Sequence, residues 1–575
     1  MSSPPLKKGL PFLPTEVWRQ IFILLRWNDP QSLKLASLTN HRLHEIAASI
    51  IFRTLQLGAL TFCEERRQRI LSSIPWKYVK VIIVTGVAYQ TELDDWKKDH
   101  FLKMIESAID LQEFYWQHWR HMPGFALFKL HQLHPQAAVH ITGMNVCLAQ
   151  RKRPHHPIER SIPHLQSLRS LTSEWDYDLQ DSISKTPTNV SYQARLRDII
   201  CGSHNLETLR LIQREEEDEG ESLPPQRGAI TLQKGDVLPN LKHLHLFNMH
   251  LDNTQSLLWA ESLQWETLES LSLINGDWVD LVPEIAKRLS GLKSFEVSIS
   301  KYHPRMKYWH RIDQTLDPPS PLYLERATQV RLILESVPLL ERFIGYSVPQ
   351  SILDTLSRFH GDSLKHLRFR NMPRAHFSSN EPLWPSSIDH LEILPDQFPN
   401  LESLGFDIEW IDEEWPYEPM THIRQIKHLK HLELNIPSVD LRRYKDVSAN
   451  LTVNCMDDNA YNRLLEFLES DLNSISLRSL HIKVGEWDNA KWIMEGQFPR
   501  DEPLIIGERD QLGSMHFHRV QTVKGYVYPK ELCYKDYARD LYRGILEIHG
   551  FDDPFFMDSG KSTRGKFDSG WGVFS

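Results

Sequence analysis

Glycine and cysteine are both scarce in this chain of 575 residues. The 25 glycines are outnumbered by 34 prolines, which disfavours a fold built on glycine-rich phosphate loops. The five cysteines lie far apart and form no Cys-x-x-Cys pair, so neither a disulfide framework nor a zinc ribbon is expected. Free cysteines are typical of a reducing compartment.

Long apolar runs are also missing. No segment approaches the roughly 20 consecutive apolar residues that span a bilayer. Prolines interrupt the first 14 residues, where a signal peptide would carry a continuous apolar core. We therefore expect a cytoplasmic or nuclear protein that does not enter a membrane.

An excess of basic residues is absent as well. The 66 Lys and Arg residues against 75 Asp and Glu give a net charge of -9, which disfavours a general nucleic-acid binder. The phosphate-loop, zinc-protease and serine-hydrolase motifs do not occur. His155 and His156 lie between prolines, in a segment expected to be an exposed loop and not a metal site. The sequence thus predicts no catalytic residue, cofactor or metal, and favours a binding protein.

Residues 13–53 carry the periodicity of three short helices. The apolar stripe of the first helix recurs at i, i+4, i+7 and i+8, at Val17, Ile21, Leu24 and Leu25. Asp29-Pro30 and Asn40 are typical of the starts of the second and third helices. Their apolar residues are Leu33, Leu35, Ala36 and Leu38, then Leu43, Ile46, Ala47, Ile50 and Ile51.

This segment is too short for its apolar content. A piece of about 40 residues cannot bury so much apolar surface alone, so part of it must face a partner or the following domain. A helical subdomain that caps the following domain would explain the same periodicity.

The order and spacing of these residues resemble the F-box motif. The resemblance rests on Leu13-Pro14-x-Glu16-Val17, Ile21-Phe22, Leu24-Leu25, Asp29-Pro30, Ser32-Leu33 and Leu38-Thr39-Asn40. It implies a three-helix module that docks on the adaptor Skp1, which links it to a cullin and a RING protein in an SCF ubiquitin ligase. The family's adaptor contacts fall here on Leu13, Pro14, Val17, Ile21, Leu24, Leu25, Leu33 and Leu38. Leu38-Thr39 replaces the usual Val-Ser, and Leu43 stands where an aromatic residue often lies.

The rest of the chain repeats a six-residue core, Leu-x-x-Leu/Phe-x-apolar. It begins at Leu111, Leu206, Leu241, Leu268, Leu292, Leu364, Leu401, Leu429 and Leu477. Leu165-Leu168 and Leu340-Phe343 are partial copies. Ile388-Leu391-Ile393 lies only 13 residues before Leu401, so one of those two is not expected to be a full repeat. Gaps of 24, 27 and 28 residues, and two gaps of 48, lie near the leucine-rich-repeat period or at twice 24.

The alternation of apolar and polar residues in this core is the periodicity of a strand. The chain resembles irregular leucine-rich-repeat proteins, in which short parallel strands stack with their leucines inward. This arrangement would place His243, His366 and His431 on the outer face, where a row of histidines could make binding pH-sensitive, although solvent-facing polar positions are the simpler interpretation. The usual asparagine is displaced by one position, which predicts a shifted or missing asparagine ladder at Asn248, Asn275 and Asn371.

We predict an α/β protein with four segments. These are an F-box-like module at 1–55, a connecting region with the first irregular repeats at 56–160, a leucine-rich-repeat solenoid at 161–500, and a C-terminal cap with a flexible tail at 501–575. Helices are expected at 281–289, 330–334, 352–359 and 461–468, and a terminal strand pair at 516–528. Insertions between repeats are expected at 212–236, 301–325 and 407–420. Residues 558–563 resemble a phosphodegron, although a polar tail is the simpler interpretation.

Together these features favour a non-catalytic substrate receptor of an SCF-type E3 ubiquitin ligase. The F-box-like helices would bind Skp1, and the repeats would bind a target protein that the sequence does not identify. The alternative is a protein-interaction scaffold whose F-box does not assemble a ligase. No sequence motif supports a third hypothesis, an enzyme whose site lies in the insertions.

Overall fold

The computed structural model describes residues 13–28, 30–57, 74–85, 102–117, 124–145, 166–176, 188–214, 230–274, 276–299, 321–346, 348–370, 388–407, 422–437, 477–485, 505–509 and 515–519. The chain divides into two compact units, one of Met1–Arg53 with Val523–Ser575 and one of Thr54–Thr522. Within the described residues, no helix combines the length and the apolar character that crossing a membrane requires.

The described part of the first unit consists of three helices, α1 (Thr15–Asn28), α2 (Pro30–Ser37) and α3 (His41–Ile51). α2 begins at Pro30, whose missing N–H suits the first turn of a helix. α3 follows Asn40, whose side-chain Oδ1 accepts a hydrogen bond from the amide of Leu43 at 2.9 Å. The predicted starts of the second and third helices are confirmed at Pro30 and Asn40, while Asp29 lies outside the described residues.

The second unit is built on one sheet, which has 16 strands in its described residues. These are β1 (Thr54–Leu57), β2 (Val81–Thr85), β3 (Glu113–Gln117), β4 (Ala138–Asn145), β5 (Leu168–Asp176), β6 (Thr208–Arg214), β7 (His243–Phe247), β8 (Ser270–Ile274), β9 (Ser294–Ser298), β10 (Arg342–Tyr346), β11 (His366–Arg370), β12 (Ser403–Asp407), β13 (His431–Pro437), β14 (Ser479–Gly485), β15 (Ile505–Arg509) and β16 (Met515–Arg519). The strand order in the sheet follows the order along the chain. Neighbours pair in parallel from β1 to β14, whereas the last two pairings are antiparallel.

Parallel neighbours require a return segment, and helices occupy several of these returns. The α-helices are Gly124–Leu133, Thr188–Gly202, Asn253–Ser262, Val282–Ile285, Pro321–Ser336, Gln350–His360 and Leu394–Gln397, and residues 102–107 are also helical. The 3-10 helices are Trp76–Tyr78, Trp265–Thr267, Ala286–Arg288 and Ile388–Ile393. The helices expected at 281–289, 330–334 and 352–359 are confirmed, while 461–468 lies outside the described residues. The protein is therefore a mixed α/β protein with a large, mainly parallel sheet.

The repeated core forms strands with two different faces. In β7, Leu244 and Leu246 are buried, whereas His243 and His245 are half-buried on the opposite side. We call the first side the leucine face, and the side of His243, His245 and their registered neighbours the open face. Apart from the copy at Ile388, each core predicted from the sequence lies on a strand or leads into one, and the partial copies correspond to β5 and β10.

The irregular spacings of the cores have a structural explanation. Ile388–Ile393 is a 3-10 helix, so Leu401, which leads into β12, is the strand-forming member of that pair. The two 48-residue gaps add no strand to the sheet, because β9 pairs directly with β10 and β13 with β14. Strand pairing sets the register of the repeats, and the length of the return segment does not.

Asn248 takes the shifted asparagine position that the sequence predicted. Its φ of 54° lies in the left-handed region, which asparagine tolerates better than most residues. Its side-chain Nδ2 donates to the carbonyl oxygen of Gln213 at 3.0 Å, and both residues are buried. The displaced asparagine therefore satisfies a turn carbonyl on the preceding strand. Asn275 and Asn371 lie outside the described residues.

The predicted insertions and terminal strands need correction. The segment expected as an insertion at 301–325 includes the start of the helix Pro321–Ser336, whose Ala327, Val330 and Ile333 are buried in the core. The predicted terminal strand pair is met in part, because β16 begins at Met515 and pairs antiparallel with β15, while 520–528 lies outside the described residues. The acidic run at 215–219, the histidines at 155–156, most of 407–420 and the segment 558–563 lie outside the described residues.

Candidate protein-interaction surfaces

The helical unit closes a small core of its own. Phe22 from α1 and Leu33 from α2 are buried against Ile46, Ala47 and Ile50 from α3. The half-buried apolar residues packed around them are Trp18, Ile21, Leu25, Ala36, Leu43 and Ile51. The five apolar residues predicted for the third helix all take part in this cluster.

The structure separates the eight residues that the F-box resemblance assigns to adaptor contact. Leu33 is buried at 2% exposure, so it supports the core and offers no contact. Three residues are half-buried: Leu13, Ile21 and Leu25. Four are exposed, namely Pro14, Val17, Leu24 and Leu38, and the last three are 40%, 61% and 79% exposed.

Only part of the apolar stripe predicted for α1 faces the core, where Ile21 and Leu25 are packed. Phe22 is the buried residue, whereas Val17 and Leu24, which are two helical turns apart, lie along an uncovered edge. The apolar surface of α1 is wider than the part that α2 and α3 cover. An uncovered apolar edge remains after the core has closed.

Two further apolar residues are exposed, although the F-box resemblance assigns neither of them to adaptor contact. Ile23 is 37% and Leu35 is 65% exposed. Leu35 lies two residues after the buried Leu33, and side chains at that spacing leave a helix in different directions. This spacing is the signal that would have separated Leu35 from the core.

The open face is bordered by a row of alternating charges, which we call the charge ladder. It consists of the residue after the first leucine of each core, namely Glu207, Lys242, Glu269, Lys293, Glu341, Lys365, Glu402 and Lys430. Four ion pairs join Lys Nζ to Glu Oε2, at 2.9 Å for Lys242–Glu207, 2.9 Å for Lys293–Glu269, 3.0 Å for Lys365–Glu341 and 2.8 Å for Lys430–Glu402.

Charges of the ladder also attract each other between one ion pair and the next. Glu269 raises the pKa of Lys293 through a hydrogen bond, and the charge of Glu341 on the following strand raises it further. The backbone repeats the pattern: the Lys242 carbonyl accepts the amides of Glu269 and Ser270 at 2.8 and 2.9 Å. This backbone contact recurs from strand to strand, so the charged side chains of successive ladder positions lie next to one another.

Carboxylates that lie on the open face itself are engaged. Glu296 accepts hydrogen bonds from the Tyr346 hydroxyl and from the Ser272 hydroxyl, both at 2.9 Å. Glu433 of β13 forms an ion pair with Arg368 of β11, across Gly405 of β12. A Cβ at Gly405 would approach Arg368 Cγ to 3.0 Å, so glycine leaves the space that this ion pair crosses.

Tyr115 and His140 form an ordered aromatic pair on β3 and β4. Their rings stack with centroids 4.3 Å apart and planes 9° from parallel. Tyr115 donates a hydrogen bond to Glu113 Oε2 at 2.5 Å, and its pKa is raised to about 12 by burial first and then by Glu113. Burial lowers the pKa of His140, whose Nδ1 lies 2.9 Å from Ser170 Oγ.

A second His–Ser contact of the same kind joins two other neighbouring strands of the sheet. His431 Nδ1 lies 2.7 Å from Ser479 Oγ, and both pairs join registered neighbours. Histidines and serines on adjacent strands therefore produce such contacts without any catalytic requirement. Burial raises the pKa of Cys201 to about 11, which disfavours a thiolate nucleophile there.

No group of three or more His, Cys, Asp or Glu in the described part of the chain is placed to hold a metal ion. No protein-family model matches the chain, and no curated protein matches it either. Two surfaces of the described residues can meet a partner: the apolar edge of the helical unit and the open face of the sheet.

Proposed function

We propose that this chain is the substrate-recognition subunit of an SCF-type E3 ubiquitin ligase. In this proposal α1–α3 form the F-box module, and the sheet with its helices forms a leucine-rich-repeat solenoid that holds a target. The supporting observation is that Val17, Leu24 and Leu38 stay exposed after the three-helix core has closed. Burying a leucine contributes about 2 kcal/mol, so such an edge suits a stable apolar partner.

The sheet supports the second half of the proposal. Its strands follow the chain order, as repeats that stack by addition do. The open face presents side chains held by hydrogen bonds and ion pairs, which reduces the entropy lost when a partner binds. A receptor of this kind contributes proximity between the target and the ubiquitin-loaded enzyme, and performs no chemistry itself.

Adaptor binding can be tested by co-purifying the full chain with a Skp1-like adaptor and a cullin. Leu24→Ala together with Leu38→Ala removes two exposed leucine side chains, so we expect adaptor affinity to fall about 100-fold. The matched control is Ile23→Ala, which truncates an exposed apolar residue on a different side of α1. This control should bind the adaptor like the wild type, and circular dichroism should show unchanged helix content for all variants.

Two results would contradict the proposal. One is a wild-type chain that does not bind the adaptor, and the other is a double variant that binds as well as the control. A complex that contains the adaptor but excludes the cullin would favour the interaction scaffold instead.

A further inference from the structure

A second row of side chains runs beside the charge ladder, one position further along each strand. We call it the donor row, and from β6 to β14 it consists of Thr208, His243, Ser270, Ser294, Arg342, His366, Ser403, His431 and Ser479. None of these residues is a carboxylate, and each is half-buried or exposed. Hydroxyl, imidazole and guanidinium groups can all donate hydrogen bonds, so the row is suited to an acceptor.

Arg342 is the permanent cation of the donor row. It is exposed, and its registered neighbours are Ser294 on β9 and His366 on β11. Its guanidinium forms no hydrogen bond or ion pair with the residues that the structure describes. Burial lowers the pKa of His366, and the charge of Arg342 lowers it further.

The carboxylates around Arg342 already have partners. They are Glu341, held by Lys365; Glu402, held by Lys430; Glu433, held by Arg368; and Glu296, held by Ser272 and Tyr346. Among the described residues, none of these carboxylates bonds to Arg342, so its guanidinium keeps its hydrogen-bond donors available on the open face.

We infer that the donor row binds an acidic, extended segment of a partner protein, with Arg342 as its anchor. That this partner is the ligase target rests on the proposed function, whereas the binding surface itself does not. A guanidinium can hold a carboxylate through two parallel hydrogen bonds. Arg342 and His431 lie three strand spacings apart, about 14 Å, which about four extended residues would span.

A direct test measures binding of a fluorescent polyglutamate peptide to the full chain by anisotropy. Arg342→Gln should weaken binding about tenfold, because it removes one charged, two-point contact. Arg342→Lys keeps the charge and should retain part of the affinity. The matched control is Arg331→Gln, which removes the same charge from an exposed position on the helix Pro321–Ser336 and should leave binding unchanged.

Three outcomes would overturn the inference. They are equal binding by the two Gln variants, polylysine binding as tightly as polyglutamate, and oligothymidylate binding more tightly than polyglutamate. Adaptor co-purification, run on the same samples, should be unaffected by Arg342→Gln. If the wild type binds polyglutamate but no adaptor, the ligase proposal fails while the donor row stands.

Discussion

Arg326 is a fully buried cation in the described core. It has 0% exposure, and its guanidinium donates to the carbonyl oxygens of Gly276 and Ile299 and to Asp277 Oδ1, the last at 3.1 Å. Burial lowers the pKa of Arg326, whereas the charge of Asp277 raises it. A buried charge is tolerated only when it is paired and hydrogen-bonded, and these three acceptors supply that pairing.

Replacing this arginine should destabilise the sheet unit. Arg326→Met fills similar space but leaves two buried carbonyls without their donor and removes the charged partner of Asp277, so we expect a loss of about 3 kcal/mol in the free energy of unfolding. Urea denaturation would measure it. Arg331→Met, an exposed change on the same helix, should stay within about 0.5 kcal/mol of the wild type. Equal effects for the two variants would show that Arg326 only fills space.

At the scale of elements, periodicity predicted which segments become helices and strands. The cap at Asn40 and the strands that carry the leucine cores were all predicted, because capping and alternation are local properties. Periodicity identified the buried side of α1 only in part, since Ile21 and Leu25 pack against the core while Leu24 does not. Phe22 and Leu24 are both apolar, and the contacts of α2 and α3 decide that Phe22 is buried and Leu24 is 61% exposed.

The charge ladder is a property of neighbouring strands. Reversing one member, in Glu341→Lys, places three lysines in line at the positions directly before β9, β10 and β11. We expect a loss of about 1 kcal/mol, which added salt should reduce. The double reversal of Glu341 and Lys365 restores their own ion pair, which is 3.0 Å long in the wild type. It also places like charges beside Lys293 and Glu402.

The double reversal therefore distinguishes a ladder from independent ion pairs. A ladder predicts that Glu341→Lys with Lys365→Glu stays less stable than the wild type, because both flanking contacts become repulsive. Thermal unfolding at low ionic strength would measure the difference. Full recovery of stability by the double variant would mean that the four ion pairs act independently.

For the molecule as a whole, several buried histidines tie stability to pH. Burial lowers the pKa of His140, His245, His360 and His366. For His245 the value falls from the ordinary 6.5 to about 4, with the charge of Arg210 adding to burial and that of Glu296 opposing it. Below pH 6.5 the unfolded chain binds protons that the folded chain does not, so stability must fall as the pH falls.

His245→Gln should flatten this dependence between pH 6.5 and 4. Removing one titrating group lowers the slope of the free energy of unfolding against pH by at most about 1.4 kcal/mol per pH unit. Urea denaturation across that range would measure the slope. His204→Gln, at an exposed position, is the matched control and should leave the slope unchanged. A variant at His245 with the wild-type slope would contradict the assignment.

The sequence by itself determined the helices of residues 13–53, the strands of the repeated cores and the polar character of the open face. These follow from local periodicity, capping and residue type, which each segment carries alone. Only the tertiary structure decided that β9 pairs with β10 across a 48-residue gap, and that a 3-10 helix replaces a strand at Ile388–Ile393. It also decided which carboxylates are paired, and that Arg342 pairs with none of those in the part of the chain that the structure describes. Such facts depend on contacts between residues far apart in the chain, and spacing along one segment does not contain them.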